Sequence, residues 1–304
     1  MKLAPALLLV LGGCAQTLPP PPLLPEQPTI VSLNPCADAI LAEIAAPGQV
    51  LALSHYSHDP RASSLPQEVA QRYATTGGTA EEVLALAADV VVADTFLAAS
   101  TKRALEDAGI RVAQIGITAS LEDSLAQIRQ LGEVTGQSAH AEALAEEIAA
   151  AWDAARAAGP QVDTLLWQSG GIVPGEGSLA FALLEQTGFA SHSAARGLGQ
   201  GAYLPLEQVL AEPPQLVIAA GDEPMLHHPV FAQVAGVQHA TLDPALLYCG
   251  GPTIPRALAR LGEIRRDFTS PLPLAGGAGG GPEAGPESHN RPTPNPSRKR
   301  EGNL

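Results

Sequence analysis

The chain has 304 residues, enough for one large domain or two smaller ones with real cores. Apolar residues make up 45% and charged residues 16%, which excludes a wholly disordered chain. A formal net charge of −14 excludes a nucleic-acid-binding body, which needs a basic stripe to neutralise phosphates.

The first segment, "MKLAPALLLVLGGCAQ", places one lysine before a short apolar stretch that ends in small residues and a cysteine. It is too short for a permanent span and has the pattern of an export signal over residues 1–14. Leu11-Gly12-Gly13-Cys14 resembles the bacterial lipoprotein cleavage box, with Cys14 as the acylated residue and a membrane anchor. An ordinary signal with a chance cysteine is the plainer alternative. Residues 15–28 are proline-rich, a stiff spacer without a fold of its own.

From residue 29 short apolar runs alternate with amphipathic segments. "TIVSL", "VLALS", "DVVVA" and "RVAQIGI" fit buried strands. "PCADAILAEI", "AEEVLALA" and "STKRALEDAG" fit helices. Asn34-Pro35 supplies a cap and a first-turn proline, Thr79 and Glu82 have the spacing of a capping box, and Gly109 is a stop. This alternation predicts an α/β lobe with a mainly parallel sheet over residues 29–135. Residues 136–159 are alanine-rich and free of interior proline. Leu144, Ile148, Ala151, Trp152 and Ala155 recur at helical spacing, predicting one long rigid helix. A second α/β lobe follows over 160–268, with "DTLLWQ", "QLVIAA" and "HATLD" as strands. Residues 269–304 are rich in Gly, Pro and polar side chains and lack the apolar content for a core, predicting a disordered tail.

The two lobes repeat one layout. Shifting the sequence by 126 positions sets Glu81 on Glu207, Val83 on Val209 and Leu84 on Leu210. The same shift sets Val90–Val92 on Leu216–Ile218. The expected fold is therefore α/β, with two similar Rossmann-like lobes joined by the long helix and a ligand cleft between them.

The segments "TIVSLNPCADAILAEI", "TGGTAEEVLALAADVVVA" and "YLPLEQVLAEPPQLVIAA" resemble the helical-backbone class of periplasmic substrate-binding proteins. These serve ABC importers of cobalamin, ferric siderophores and haem. The resemblance covers about residues 29–268. It implies a monomeric binder, not an enzyme, with no tightly bound cofactor and a metal chelate as its transported ligand. It also implies a permease partner, docked by one exposed glutamate per lobe, at Glu81 and Glu207. Both fall in the first turn of a predicted helix, where the dipole favours a carboxylate; surface acids that only stabilise that dipole are the plainer alternative.

The cleft residues expected on this resemblance begin with "LSHYSHDP", the loop after the second strand, at the sheet edge where α/β ligands bind. Tyr56 can stack on a planar chelate. His55 and His58 can contact it or, less simply, ligate a metal. Thr76 and Gly77 precede Glu81, and Gly201 and Tyr203 precede Glu207. Tyr248 and Cys249 precede the last helix. Cys36 and Cys249 are far apart in sequence, and spacing leaves open whether they pair or stay separate. The stretches before the two docking glutamates are Thr- and Gly-rich where corrinoid binders tend to carry aromatics. Arg61 and Arg196 could meet an anionic siderophore.

Two other classes fit less of the sequence. Gly175-x-Gly177-x-x-Ala180 matches a dinucleotide pattern but begins several residues after its strand and has no acid about 20 positions on. No G-x-S-x-G elbow or H-E-x-x-H pair is present. A bare Zn or Mn receptor of similar architecture would need His55, His58 and Asp59 to meet ligands such as His227 or His228 from the second lobe.

Overall fold

The computed structural model describes residues 26–221, 229, 234 and 236–269. The expected signal peptide and Cys14, most of the proline-rich spacer, His227, His228 and the tail beyond 269 lie outside the described residues.

The first lobe runs β1 (Ile30–Ser32), α1 (Pro35–Ile44), β2 (Val50–Ser54), α2 (Gln67–Ala70), β3 (Thr75–Thr76) and α3 (Ala80–Leu86). It continues through β4 (Val90–Asp94), α4 (Ala99–Asp107), β5 (Arg111–Ile115) and α5 (Leu121–Thr135). Its five strands pair in the order β3-β2-β1-β4-β5, all parallel. β1 and the Val90–Val92 run sit in the middle and are buried on both faces, as near-continuous apolar strands should be. Sequence and structure agree to the residue on α1. The Asn34 side chain accepts from the Cys36 and Ala37 N–H groups at 2.8 and 3.0 Å, and Pro35 occupies the first turn.

The connecting helix α6 spans Ser138–Ala154, shorter than the expected 136–159. Gly136 belongs to the previous helix: it closes α5 in the left-handed conformation, φ 68°, and turns the chain into an α5–α6 hairpin. At 17 residues α6 is about 25 Å long. Its buried face, Ala141, Ala145 and Ile148, joins one continuous core with α1, α5 and the final helix.

The second lobe runs β6 (Val162–Gln168), β7 (Ile172–Val173), α7 (Leu179–Gln186), β8 (Phe189–Ser191), β9 (Ala202–Tyr203), α8 (Leu206–Ala211), β10 (Leu216–Ala220), β11 (Gln238–Leu242) and α9 (Thr253–Thr269). β6 pairs in parallel with β8 and β10, and β10 with β11. The order β8-β6-β10-β11 therefore repeats β2-β1-β4-β5 of the first lobe. α3 and α8 begin 126 positions apart, as do β4 and β10. The lobes differ at one edge, where β7 and β9 add an antiparallel ribbon beside β6.

Segments near α9 fasten the second lobe to the first. Ser64 Oγ donates to Ala245 O at 2.7 Å, Arg256 donates to Ser64 O at 2.8 Å, and Gly251 N donates to Ser124 Oγ at 2.7 Å. Cys36 and Cys249 form a disulfide across the same junction.

Candidate ligand-binding cleft

A cleft of about 380 Å³ opens between the lobes. The first lobe lines it at the carboxyl ends of its strands: Asn34 after β1, Asp94–Phe96 at the end of β4, and Ile115–Thr118 at the end of β5. The second lobe contributes Gln168 at the end of β6, Ile172, Pro174, the start of α7 from Ser178 to Ala180, Gln200, Gly201 and Leu247–Cys249. Parallel strands end on this edge, where backbone and loop side chains can meet a ligand without breaking the sheet.

Local chemistry fixes the cleft's rim. Asp94 Oδ1 accepts from Phe96 N at 2.7 Å and turns the chain sharply after β4. That turn leaves Phe96 74% exposed, while Ile117 beyond β5 is 71% exposed. Ile172 and Tyr248 of the second lobe are also exposed, at 43% and 42%. Large apolar side chains held open to water in a concave site are a usable ligand surface. Gln127 Nε2 donates to Gly116 O at 2.9 Å and holds the β5 exit in place. Ser178 caps α7, accepting from Phe181 N at 3.2 Å.

The expected cleft residues divide. Gly201, Tyr248 and Cys249 line the cleft. Tyr56, His55, His58, Thr76, Gly77 and Tyr203 are not among its lining residues. Residues 55–58 form a tight 3-10 turn with its own partners. His55 stacks on Tyr56 with ring centroids 4.1 Å apart, and its Nδ1 meets Thr76 O at 3.3 Å. His58 Nε2 meets Ala70 O at 2.9 Å, tying the turn to α2. Tyr203 lays its ring against Gly171, where a Cβ would collide. Among the described residues, no group of three or more His, Cys, Asp or Glu side chains comes together to hold a metal ion.

Thr79 does cap α3, accepting from Glu82 N at 3.3 Å. The Glu82 side chain, which a capping box would turn back to Thr79 N, reaches further, to Thr76 and Gly77. Its carboxylate accepts from Thr76 Oγ1 at 2.9 Å and Gly77 N at 2.7 Å. Those two bonds hold it below the usual carboxylate range. Thr76 and Gly77 are thus committed to shaping the entry to α3. Glu81 and Glu207 both sit exposed in the first turns of α3 and α8.

The arginines suggested for an anionic ligand are engaged elsewhere. Arg61 pairs with Asp59 at 3.2 Å on the open surface. Arg196 pairs with Glu212 at 2.8 Å and donates to His192 O at 3.0 Å.

One buried acid was not singled out from sequence. Asp38, on α1, accepts from Ser54 N at 3.0 Å and Ser57 Oγ at 2.6 Å. It thereby pins the 55–58 turn to α1. Burial pushes its pKa up to about 7, against the opposing pull of bonds from Ser32, Ser57 and Ser54. A second hollow, about 490 Å³ beside β11 and α9, draws its walls from the second lobe alone.

The family model described as periplasmic binding protein matches residues 30–241. Among solved structures, a periplasmic haem-binding protein of Vibrio cholerae superposes with a TM-score of 0.64 at 17% identity. That match covers 80% of this chain and 99% of the other. A periplasmic haem-binding protein of Pseudomonas aeruginosa gives 0.61 at 22% identity, covering 81% and 95%. A periplasmic vitamin B12-binding protein of Vibrio cholerae gives 0.55 at 18% identity, covering 79% and 97%. At these identities the likeness is one of fold. A stretch of 52 residues is 52% identical to part of a DNA ligase of Erythrobacter litoralis. It covers 17% of this chain and 7% of that ligase, so the ligase's activity does not carry over.

Proposed function

Because this chain belongs to the periplasmic binding protein family, we propose that it is the substrate-binding component of an ABC importer that captures a metal chelate between its lobes. The carrying observation is the cleft itself. Both lobes line it at their strand ends, and it presents open apolar side chains beside amide and hydroxyl groups. The solved relatives with this fold bind haem or vitamin B12, which supports a planar chelate as cargo.

The protein would act by capture and transfer without covalent chemistry. The helix α6, the fastenings around α9 and the disulfide brace the lobes, so the cleft is largely preformed and little ordering is needed on binding. Glu81 and Glu207 would then seat the loaded protein on cationic side chains of the permease, as charge-assisted pairs at matching positions of the two lobes. Acylated Cys14 would tether the exported chain to a membrane through the proline-rich spacer. Among the described residues no helix is long and apolar enough to cross a membrane.

Titration of the purified protein with a panel of haem, corrinoid and ferric siderophores tests capture, read as a rise in melting temperature without turnover. Charge reversal at Glu81 or Glu207 tests docking. It should reduce uptake by cells and leave the affinity of the purified protein unchanged. Loss of affinity in those variants would place the glutamates in the binding site instead.

A further inference from the structure

The charge of the cleft narrows the cargo, given the capture reading above. Asp94 is the one charged side chain among the described residues that line it. Among the described residues no lysine or arginine lines it. Lys102, on α4, is not among the lining residues; it is bound to Gln114 Oε1 at 2.8 Å and lies 3.9 Å from Glu106. Gln114, one strand position before the lining residue Ile115, stands on the other face of β5, where its Nε2 donates to Asp94 O at 3.0 Å.

The surroundings of Tyr248 point the same way. Burial, with the carboxylates of Asp243 and Asp59, raises the pKa of its hydroxyl. A phenol kept neutral donates a hydrogen bond and is a poor source of the phenolate that a ferric ion prefers. Apart from Asp94, what the cleft offers is uncharged: the amides of Gln168 and Gln200, the Tyr248 hydroxyl, and the exposed faces of Phe96 and Ile117.

A chelate bearing carboxylates or catecholates would lose water here and find an acid instead of a cation. Desolvating a charge without a partner is among the costliest events in binding. The overall charge of −14 would also slow the approach of an anion. Neutral amide or hydroxamate groups lose little, because amide and hydroxyl partners replace their water. We propose that this cleft selects chelates without net negative charge, neutral or cationic and amide-rimmed, and that Asp94 is the residue that sets this preference.

The test is equilibrium dialysis of the full chain against four probes: a neutral corrinoid, a cationic ferric trihydroxamate, haem with its two propionates, and an anionic ferric tricatecholate. At least one of the first two should bind about tenfold tighter, or more, than either of the last two. Asp94→Asn keeps the Oδ1 acceptor for Phe96 N and should narrow that gap by about three- to tenfold. An anionic probe bound as tightly as the best neutral or cationic one overturns the charge preference and leaves chelate capture standing. An unchanged gap in Asp94→Asn overturns the role of Asp94. Failure of all four probes to bind overturns chelate capture and the charge preference together.

Discussion

Cys36 and Cys249 are bonded across the two lobes, their Cα atoms 5.2 Å apart and 213 positions apart in sequence. Cys36 stands in the first turn of α1, beside the Asn34 cap, and Cys249 stands just before α9. Both line the cleft. The bond therefore closes most of the folded chain into one loop at the wall of the cleft. Removing it with Cys36→Ser plus Cys249→Ser should lower unfolding free energy by about 2–5 kcal/mol. Denaturant melts with and without reductant check this: the wild type should be sensitive to reductant and the double variant indifferent. Equal stability of the two proteins would remove the bridge from the account.

Asp38 gives the fold a pH dependence of known sign. Its folded pKa, about 7, lies above the ordinary 3.8. The folded state therefore holds an extra proton between those values, and this group's contribution to stability falls as pH rises through that window. Asp38→Asn should flatten that part of the profile. Denaturation midpoints from pH 4 to 8 measure it; a wild-type profile whose slope survives the substitution would show that another group carries it.

Gly132 sets the closeness of the α5–α6 hairpin. A Cβ there would collide with the Ala141 Cβ and press on Ser138. Gly132→Val should destabilise the protein by about 1–3 kcal/mol through overpacking, although valine favours a helix interior more than glycine does. A thermal melt unchanged by the substitution would mean that the helices can part without cost.

Ala87 is the one described non-glycine residue with positive φ, 50°, at the end of α3. It is exposed, so a change there alters backbone strain more than packing. Ala87→Gly should raise stability by up to about 1 kcal/mol. A loss of stability would show that the left-handed turn is not strained.

Much of this fold was legible in the sequence because local signals and burial agreed. Asn34-Pro35 marked the start of α1, and the valine run of β4 could only be a central strand. The 126-residue shift then carried the same reading into β10 and α8. The antiparallel ribbon of β7 and β9 was not legible, since two-residue strands have no period. The disulfide was not either, because only the folded chain brings residues 36 and 249 together. At the site, the loop after β2 does not line the cleft, for a topological reason. In the order β3-β2-β1-β4-β5, β2 lies on the far side of β1 from β4 and β5. Its turn is held by Asp38 and Ala70, while the cleft opens over the ends of β1, β4 and β5. The same strand-end rule, applied to the residues after "DVVVA" and "RVAQI", would have found Asp94, Phe96 and Ile117.

Hydrogen exchange on the protein saturated with a chelate is the most direct examination of the cleft. Amide exchange should slow together at 94–96 and 116–118 in one lobe and at 168–180 and 247–249 in the other. Slowing confined to a single lobe, or centred on the hollow beside β11 and α9, would contradict a ligand held between the two.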